Sequence, residues 1–511
     1  MEFPSQLIIL LLLSFPVFLF LLNRRRKISA TKNRRLPPGP PGWPIFGNMF
    51  QLGEMPHRTL TNLREKYGPI LWLKIGAVNT MAILSAKEAT IFFKNHDHAF
   101  SDRTVIETMR VHNYDKSSLA LAPYGSYWRL MRRLVTVDML VLKRINDTVS
   151  IRRKCVNDML AWVAKEARAR ELEDGRGLHV ARFIFFMSFN MFGNLMLSRD
   201  LFDMESENGS EFFAAVMGMM EWTGHANVAD LFPWLRWLDP QGLRRKMDRD
   251  MGKALEIAST FVKERLEVER DEVSRDFLDV LLEFQRNENQ HALNISDKDL
   301  NIFILEMFLA GSETTTSTIE WAMTELLCNS NCMLKVKTEL SSLIGTKDVE
   351  ESDIDKLPYL QAIVKETLRL HPPIPLLVPR KAVQDTDFIG YFIPKDTQVF
   401  VNTWAIGRDP DVWDEPLVFK PERFYGCNIN NKIDYKGQNY ELIPFGAGRR
   451  MCAGVPLAHR VLHLVLGSLL HRFDWELDSN VTPSTIDMKD RLGITMRKFQ
   501  PLLAVPKLVA S

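Results

Sequence analysis

Apolar and polar residues recur with a helical period through long stretches of this chain, and the breaks in that rhythm mark its parts. Residues 7 to 22 have no such period. Apart from Ser14 and Pro16 they are apolar throughout, and the basic run Arg24–Lys27 follows at once. Sixteen to eighteen apolar residues sit at the short edge of a membrane-spanning helix, which takes about 20. Further on, Leu60–Tyr67 reads as a helix, and Ile70–Ile75 and Thr80–Leu84 as short strands about a turn at Gly76–Asn79. Residues 150 to 290 are helical by period, with the polar runs Lys165–Gly177 and Gln285–Asn294 expected as exposed loops. From Ser296, where Asp299 completes a capping-box-like start, a pattern without proline runs to about Cys328. At 1.5 Å per residue that helix is about 50 Å long, enough to cross a large domain. His371–Arg380 is broken by prolines and cannot be helical, whereas Leu457–Leu470 again shows an apolar helical pattern. The predicted fold class is mainly α with small β-sheets.

Charge separates the N-terminus from the rest. Residues 1–35 carry seven Lys/Arg and one acid, which leaves 58 basic against 62 acidic residues beyond them. The basic excess therefore belongs to the tail, and a nucleic-acid-binding surface is not expected. A cleaved signal peptide would place its positive charge before the apolar run, but here the order is reversed. The positive-inside rule then puts everything from residue 23 onward in the cytosol. Residues 36–44, Leu-Pro-Pro-Gly-Pro-Pro-Gly-Trp-Pro, form a stiff extended spacer. No further linker, repeat or low-complexity run interrupts the 511 residues, so one large domain, 45–511, is expected behind an anchor (1–22) and a basic, proline-rich hinge (23–44). Five cysteines without C-x-x-C spacing exclude a disulfide framework or a structural zinc site.

Candidate chemistry concentrates in a few places. Cys452 lies in a glycine-rich loop just before the last apolar helix, where unpaired N–H groups and the helix dipole favour a thiolate; the bland reading is a buried cysteine in a capping loop. In Tyr124–Leu134, Trp128 and Arg132 fall one helical turn apart, so an indole N–H and a guanidinium can converge on one anion. A solvated basic helix face would look the same. Within the long helix, Ala310-Gly-Ser-Glu-Thr-Thr-Thr-Ser317 puts a glycine, an acid and β-branched hydroxyl residues where better helix formers are expected, a local rule broken in the way functional sites break it. Glu366 and Arg369, three apart on a helix, are by themselves an ordinary ion pair. Asp230–Gly242 is an aromatic, proline-broken stretch that reads equally as a membrane-facing or substrate-access loop and as a packed connector.

Together these residues resemble the cytochrome P450 family over essentially the whole chain. Phe445, Gly448, Arg450, Cys452 and Gly454 stand as in its F-x-x-G-x-R-x-C-x-G loop, Trp128 and Arg132 as in its W-x-x-x-R helix, Ala310–Thr315 as in A-G-x-[DE]-T-T, and Glu366 with Arg369 and Pro421–Phe424 as in E-x-x-R and P-E-R-F. The resemblance implies that Cys452 is the axial thiolate of haem b, a ligand that pushes electron density toward O–O cleavage. It implies Trp128, Arg132, Arg380 and Arg450 at the haem propionates and Phe445 in the haem loop. It gives Glu313 and Thr314 a part in proton handling for dioxygen activation, and it leaves Ala310 and Gly311 making room for dioxygen and substrate. Ile374, Leu376, Leu377 and Ile494 would line the pocket, and Glu366, Arg369 and Arg423 would form a buried structural network. Arg129, Arg133 and Arg449 are left as docking charges for a partner.

The implied activity is a microsomal monooxygenase of the endoplasmic reticulum, single-pass, with a cytosolic catalytic domain. Its electrons would come from NADPH through NADPH-cytochrome P450 reductase, with cytochrome b5 as a further partner, since no dinucleotide-binding G-x-G-x-x-G unit is present here. The texture is similar to plant members that oxidise monoterpenoid alcohols and iridoids, while an apolar pocket suits a fatty acid or a phenolic or flavonoid substrate as well. A hydroperoxide isomerase or dehydratase of the same fold would usually lose Thr314, and a non-enzymatic haem sensor would have no need of Glu313 and Thr314.

Overall fold

The computed structural model describes residues 35–173, 176–203, 208–267, 275–286, 295–426 and 432–509. The apolar run at 7–22, the basic segment after it and most of the expected loop at 285–294 lie outside the described residues.

Helices dominate, for the reason the periodicity suggests. α1 (Pro56–Tyr67) begins on a proline at its first position, and α2 (Ala86–Asn95) is capped by Ser85. α3 (Ser126–Arg133) runs on into a π-helical segment, Leu134–Met139. α4 (Val149–Glu173) is longer than expected: residues 165–173, read as an exposed loop, continue the helix because Ala, Glu, Arg and Leu are strong helix formers even where every turn is charged. α5 (Val180–Leu197) is apolar on most sides and mostly buried. α6 (Glu211–Gly224), α7 (Leu243–Leu266) and α8 (Phe277–Arg286) follow.

α9 (Asp297–Cys328) is the central element. Its capping box forms as the sequence suggests: Ser296 accepts from the Asp299 N–H while the Asp299 carboxylate accepts from the Ser296 N–H. Most of its side chains are buried, 22 of 32, which requires packing partners around most of the helix. The hydroxyls of Thr314, Thr316, Thr318 and Thr324 each donate to the carbonyl four residues back, so the polar stretch stays within the helix. α10 (Ser330–Leu343), α11 (Pro358–Leu370) and α12 (Val455–Arg472) complete the helical bulk.

Beside it lies a five-stranded sheet. β1 (Ile70–Ile75) and β2 (Val78–Ile83) form an antiparallel hairpin with Ile70 opposite Ile83 and a tighter turn than expected, at Gly76 and Ala77. β3 (Asp102–Arg103), β4 (Arg380–Lys381) and β5 (Gln398–Val401) extend it in the order β1-β2-β5-β4-β3, β5 running parallel to β2. In that register Arg103 lies directly opposite Arg380. β6 (Phe473–Leu477), the hairpin β7 (Asp490–Leu492) and β8 (Met496–Lys498), and β9 (Leu503–Leu508) make the smaller C-terminal sheets.

Candidate active site

The loop before α12 is built by its glycines. Gly446 and Gly448 have φ of 71° and 68°, conformations that favour glycine, and a Cβ on Gly448 would lie 2.4 Å from Oδ1 of Asp97. The Cys452 N–H donates to the Phe445 carbonyl at 3.0 Å and the Met451 N–H to that of Gly448 at 3.1 Å, which closes the loop. Phe445 packs against Tyr435, ring centroids 5.4 Å apart. The Gly454 N–H points at Sγ of Cys452 from 3.3 Å. The protein enclosing the loop raises the thiol pKa above its usual value although one side of the side chain is open, and the Gly454 N–H, Arg132 and the Val455 N–H oppose that shift. Among the described cysteines Cys155 and Cys332 are buried and Cys328 is half-buried, whereas Cys452 has open surface.

A group of buried arginines surrounds this loop. Arg103, Arg380 and Arg450 are each less than a tenth exposed. Arg380 pairs with Asp97 at 2.6 Å and donates to the Ala447 carbonyl at 2.9 Å. Arg450 donates to the carbonyls of Ser101 and Ala122 at 2.9 and 2.6 Å, and its buried Nη1 has no partner among the described residues. Burial and the neighbouring Arg380 push its pKa down to about 10. Arg103 donates to the carbonyls of Ala120 and Val378; burial, then Arg380 and Arg450, hold its pKa well below the usual guanidinium range. Arg132 is half-buried, which lowers its pKa, and the Cys452 charge opposes that shift. Asp97 serves Arg380 and Arg449 together, the latter at 3.1 Å. Asp97 is the carboxylate in ion-pair contact with this cluster among the described residues, while Asp102 and Glu306 act on Arg450 without pairing with it; Arg103, which faces Arg380 in the sheet, and Arg450 make their hydrogen bonds to carbonyls alone, so positive charge is left without a paired anion.

The sequence reading aims the Trp128 indole N–H at an anion beside Arg132. That is corrected here: the N–H donates to the Leu119 carbonyl at 2.9 Å, and Arg450 covers the ring face, 4.3 Å from its centroid. Trp128 is buried beneath the 118–122 loop, whose carbonyl offers an acceptor within reach. Arg103 and Asp97 escaped the sequence reading because no motif spacing marks them; only the cross-strand register and the fold of the Cys452 loop bring them in.

On α9, Ala310 is exposed although Leu309 and Ser312 beside it are buried, so it borders an open space, and one turn on the half-buried Thr314 donates to its carbonyl at 2.8 Å. Glu313 is 2 % exposed and pairs with Nε of Arg497 at 2.9 Å. Burial raises its pKa and Arg497 opposes the shift. Gly311 does not open the pocket. A Cβ there would fall 2.0 Å from the Phe192 ring, so the glycine exists to let α5 approach α9. Leu376 is likewise corrected. A turn closed by the Leu377 N–H to the Ile374 carbonyl, with Leu377 at φ 54°, replaces the expected extended segment, and Leu376 packs into the core with Leu60, Leu71 and Ala405. Leu377 lies against Gly446 of the cysteine loop, and Ile374 is half-buried. Ile494, half-buried at the tip of the β7–β8 hairpin, lies beside Gly224 at the end of α6. The hairpin is tied to α9 by the Ser317 hydroxyl, which donates to the Met496 carbonyl at 2.6 Å.

Glu366, Arg369 and Arg423 meet in the interior. Arg369 donates to both Glu366 oxygens at 2.7 and 2.8 Å, Arg423 adds a bond at 3.0 Å, and the remaining N–H groups reach the carbonyls of Gly407, Asp414, Glu415, Pro416 and Val418.

The family model described as Cytochrome P450 matches residues 37–503. The chain belongs to the cytochrome P450 family. An iridoid oxidase of Catharanthus roseus is 49 % identical over 96 % of this chain and 95 % of its own length. A geraniol 8-hydroxylase of the same plant is 41 % identical over 93 % and 95 %. Among solved structures, a zebrafish cytochrome P450 with progesterone superposes with a TM-score of 0.75 at 25 % identity, covering 88 % of this chain and 99 % of that one. The protein is a monooxygenase, and family membership implies a haem held by a cysteine thiolate. The residues present fit that group. The open Cys452 sulfur suits the iron, and the arginine cluster with its unpartnered Arg450 Nη1 suits two carboxylates.

Proposed function

We propose that the protein hydroxylates, and can further oxidise, a small lipophilic specialised metabolite of the monoterpenoid or iridoid class. The observation that carries this is the 49 % identity to an iridoid oxidase across nearly the full length of both chains. The apolar residues bordering the site, Ala310, Ile374 and Leu377, agree with it.

In this reading Cys452 is the axial ligand of haem b, and Arg103, Arg132, Arg380 and Arg450 neutralise the propionates, with Trp128 stacked beneath Arg450. Haem with a thiolate ligand supplies dioxygen activation. The chain supplies the rest. Glu313 accepts from Arg497 at Oε1 and keeps Oε2 as its proton site, Thr314 places a hydroxyl one turn from Ala310, and the buried Glu366 network keeps the segment before the haem loop rigid.

Electrons come from NADPH through NADPH-cytochrome P450 reductase, with cytochrome b5 as a second donor. The exposed Arg133 is the better docking charge, because Arg449 is already paired with Asp97. Residues 1–22 anchor the protein in the endoplasmic reticulum membrane, 23–44 form the hinge and 45–511 the cytosolic catalytic part. An exposed aromatic surface supports that orientation: Trp234 and Trp237 are 55 % and 79 % exposed, and Phe46 touches both Phe50 and Phe232, at 5.2 and 5.9 Å. This favours the membrane-facing reading of Asp230–Gly242.

Reductase-reconstituted protein given geraniol, an iridoid, lauric acid and a flavonoid is expected to turn over the first two. Turnover of only the last two would refute the substrate class. The reduced carbon monoxide difference spectrum tests the haem ligand, and it should lose its thiolate signature in Cys452→Ala.

A further inference from the structure

Glu306 lies two turns before Glu313 on α9, carries no motif, and takes no part in the chemistry described above. It is 6 % exposed, and its carboxylate accepts three hydrogen bonds from one loop: Ser118 Oγ at 2.6 Å, the Leu119 N–H at 2.7 Å and the Ala120 N–H at 2.7 Å. A buried carboxylate holding backbone N–H groups fixes them strongly.

The far side of the same loop faces the haem cradle. The peptide unit whose N–H is Ala120's has Leu119's carbonyl at its other end, and that carbonyl accepts from the Trp128 indole at 2.9 Å. The next unit offers its Leu121 N–H to Ser118 Oγ at 3.1 Å and its Ala120 carbonyl to Arg103 at 3.0 Å. Two residues on, the Ala122 carbonyl takes Arg450 at 2.6 Å, and the Ala122 N–H returns to the Ser118 carbonyl. Peptide dipoles therefore run from the Glu306 anion to Trp128 and Arg103, each polarised in the same sense from both ends. Burial raises the Glu306 pKa, and the hydrogen bonds from Ser118, Ala120 and Leu119, then the Arg450 charge, oppose that shift.

Resting on the haem reading above, we propose that Glu306 is a positioning residue for the haem: it holds residues 118–122 in the arrangement whose carbonyls fix Trp128, Arg103 and Arg450 around the propionates. It does so from outside the pocket, touching neither haem nor substrate.

The test uses the full-length, haem-loaded protein and follows transfer of haem to apomyoglobin. Glu306→Gln, which keeps the shape but turns an N–H₂ toward at least one loop donor, is expected to release haem about 10- to 100-fold faster, the usual range for outer-shell partners of a metal site. Glu306→Asp, which keeps the charge, should recover part of the loss. Glu339→Gln is the control. It removes a carboxylate from the backbone N–H groups of Tyr359 and Leu360, away from the cradle, and should release haem at the wild-type rate. Wild-type release from Glu306→Gln, or equal acceleration in Glu339→Gln, would overturn the proposal. Should Glu306→Gln fail to fold, Ser118→Ala, which removes one donor and leaves the charge, decides: intermediate release supports the proposal and wild-type release refutes it. Wild-type protein that binds no haem would sink the haem reading itself, a distinct outcome.

Discussion

The guanidinium of Arg369 grips both oxygens of Glu366, at 2.7 and 2.8 Å, with neither side chain exposed to solvent. Removing one partner of such a pair strands a buried charge and costs about 3–5 kcal/mol. Glu366→Ala should therefore lower the unfolding free energy by that amount, as read from denaturant unfolding, and leave most of the protein without haem, as read from the ratio of haem to protein absorbance. Arg369→Lys should do nearly as much harm, because an ammonium cannot make the forked contact.

Gly311 and Phe192 share one space. Gly311→Ala should destabilise the protein by about 1–3 kcal/mol through overpacking. Phe192→Leu in the same chain should return part of that loss. If the double variant is no more stable than Gly311→Ala alone, as measured by thermal unfolding, the packing account of this glycine fails.

Acid stability should depend on Asp490. Burial would raise its pKa, but the side chains of His57 and Arg58, 3.7 and 2.8 Å away, outweigh that and take it down to about 2. A depressed carboxylate contributes stability above its unfolded pKa and loses it as pH falls through the folded value. The contribution, about 2 kcal/mol, should be complete at neutral pH and vanish between about pH 4 and pH 2. Asp490→Asn should flatten that limb of the stability curve.

Glu313 and Thr314 should govern coupling more than binding. Glu313→Gln keeps the volume but removes the exchangeable proton site, and product formation should fall by about 100-fold, within the range of acid–base groups. NADPH consumption should fall less, the difference appearing as peroxide. Thr314→Ala should shift the same ratio in the same direction. Equal loss of NADPH consumption and product would show that neither residue handles protons.

Much was legible along the chain because its signals are local. The Ser296–Asp299 cap and the period of α9 are decided by neighbours within a few residues. The same holds for the prolines that deny a helix to His371–Arg380, although they did not reveal the turn at Leu377 that sends Leu376 into the core. Residues 165–173 misled because a charged surface resembles a loop in composition while its helix propensity is high.

By itself the sequence determined the helical class, the long central helix and the glycine-rich cysteine loop, since each is carried by spacing along the backbone, while the partnership of Glu366, Arg369 and Arg423 followed from the family resemblance. Only the tertiary structure decided that Arg103 faces Arg380, that Asp97 sits beneath Gly448, that Phe192 fills the space above Gly311 and that Glu306 grips a loop nearly two hundred positions away. Those relations depend on strand register and on which helix faces meet, and burial of charge and volume, not local propensity, selects among them.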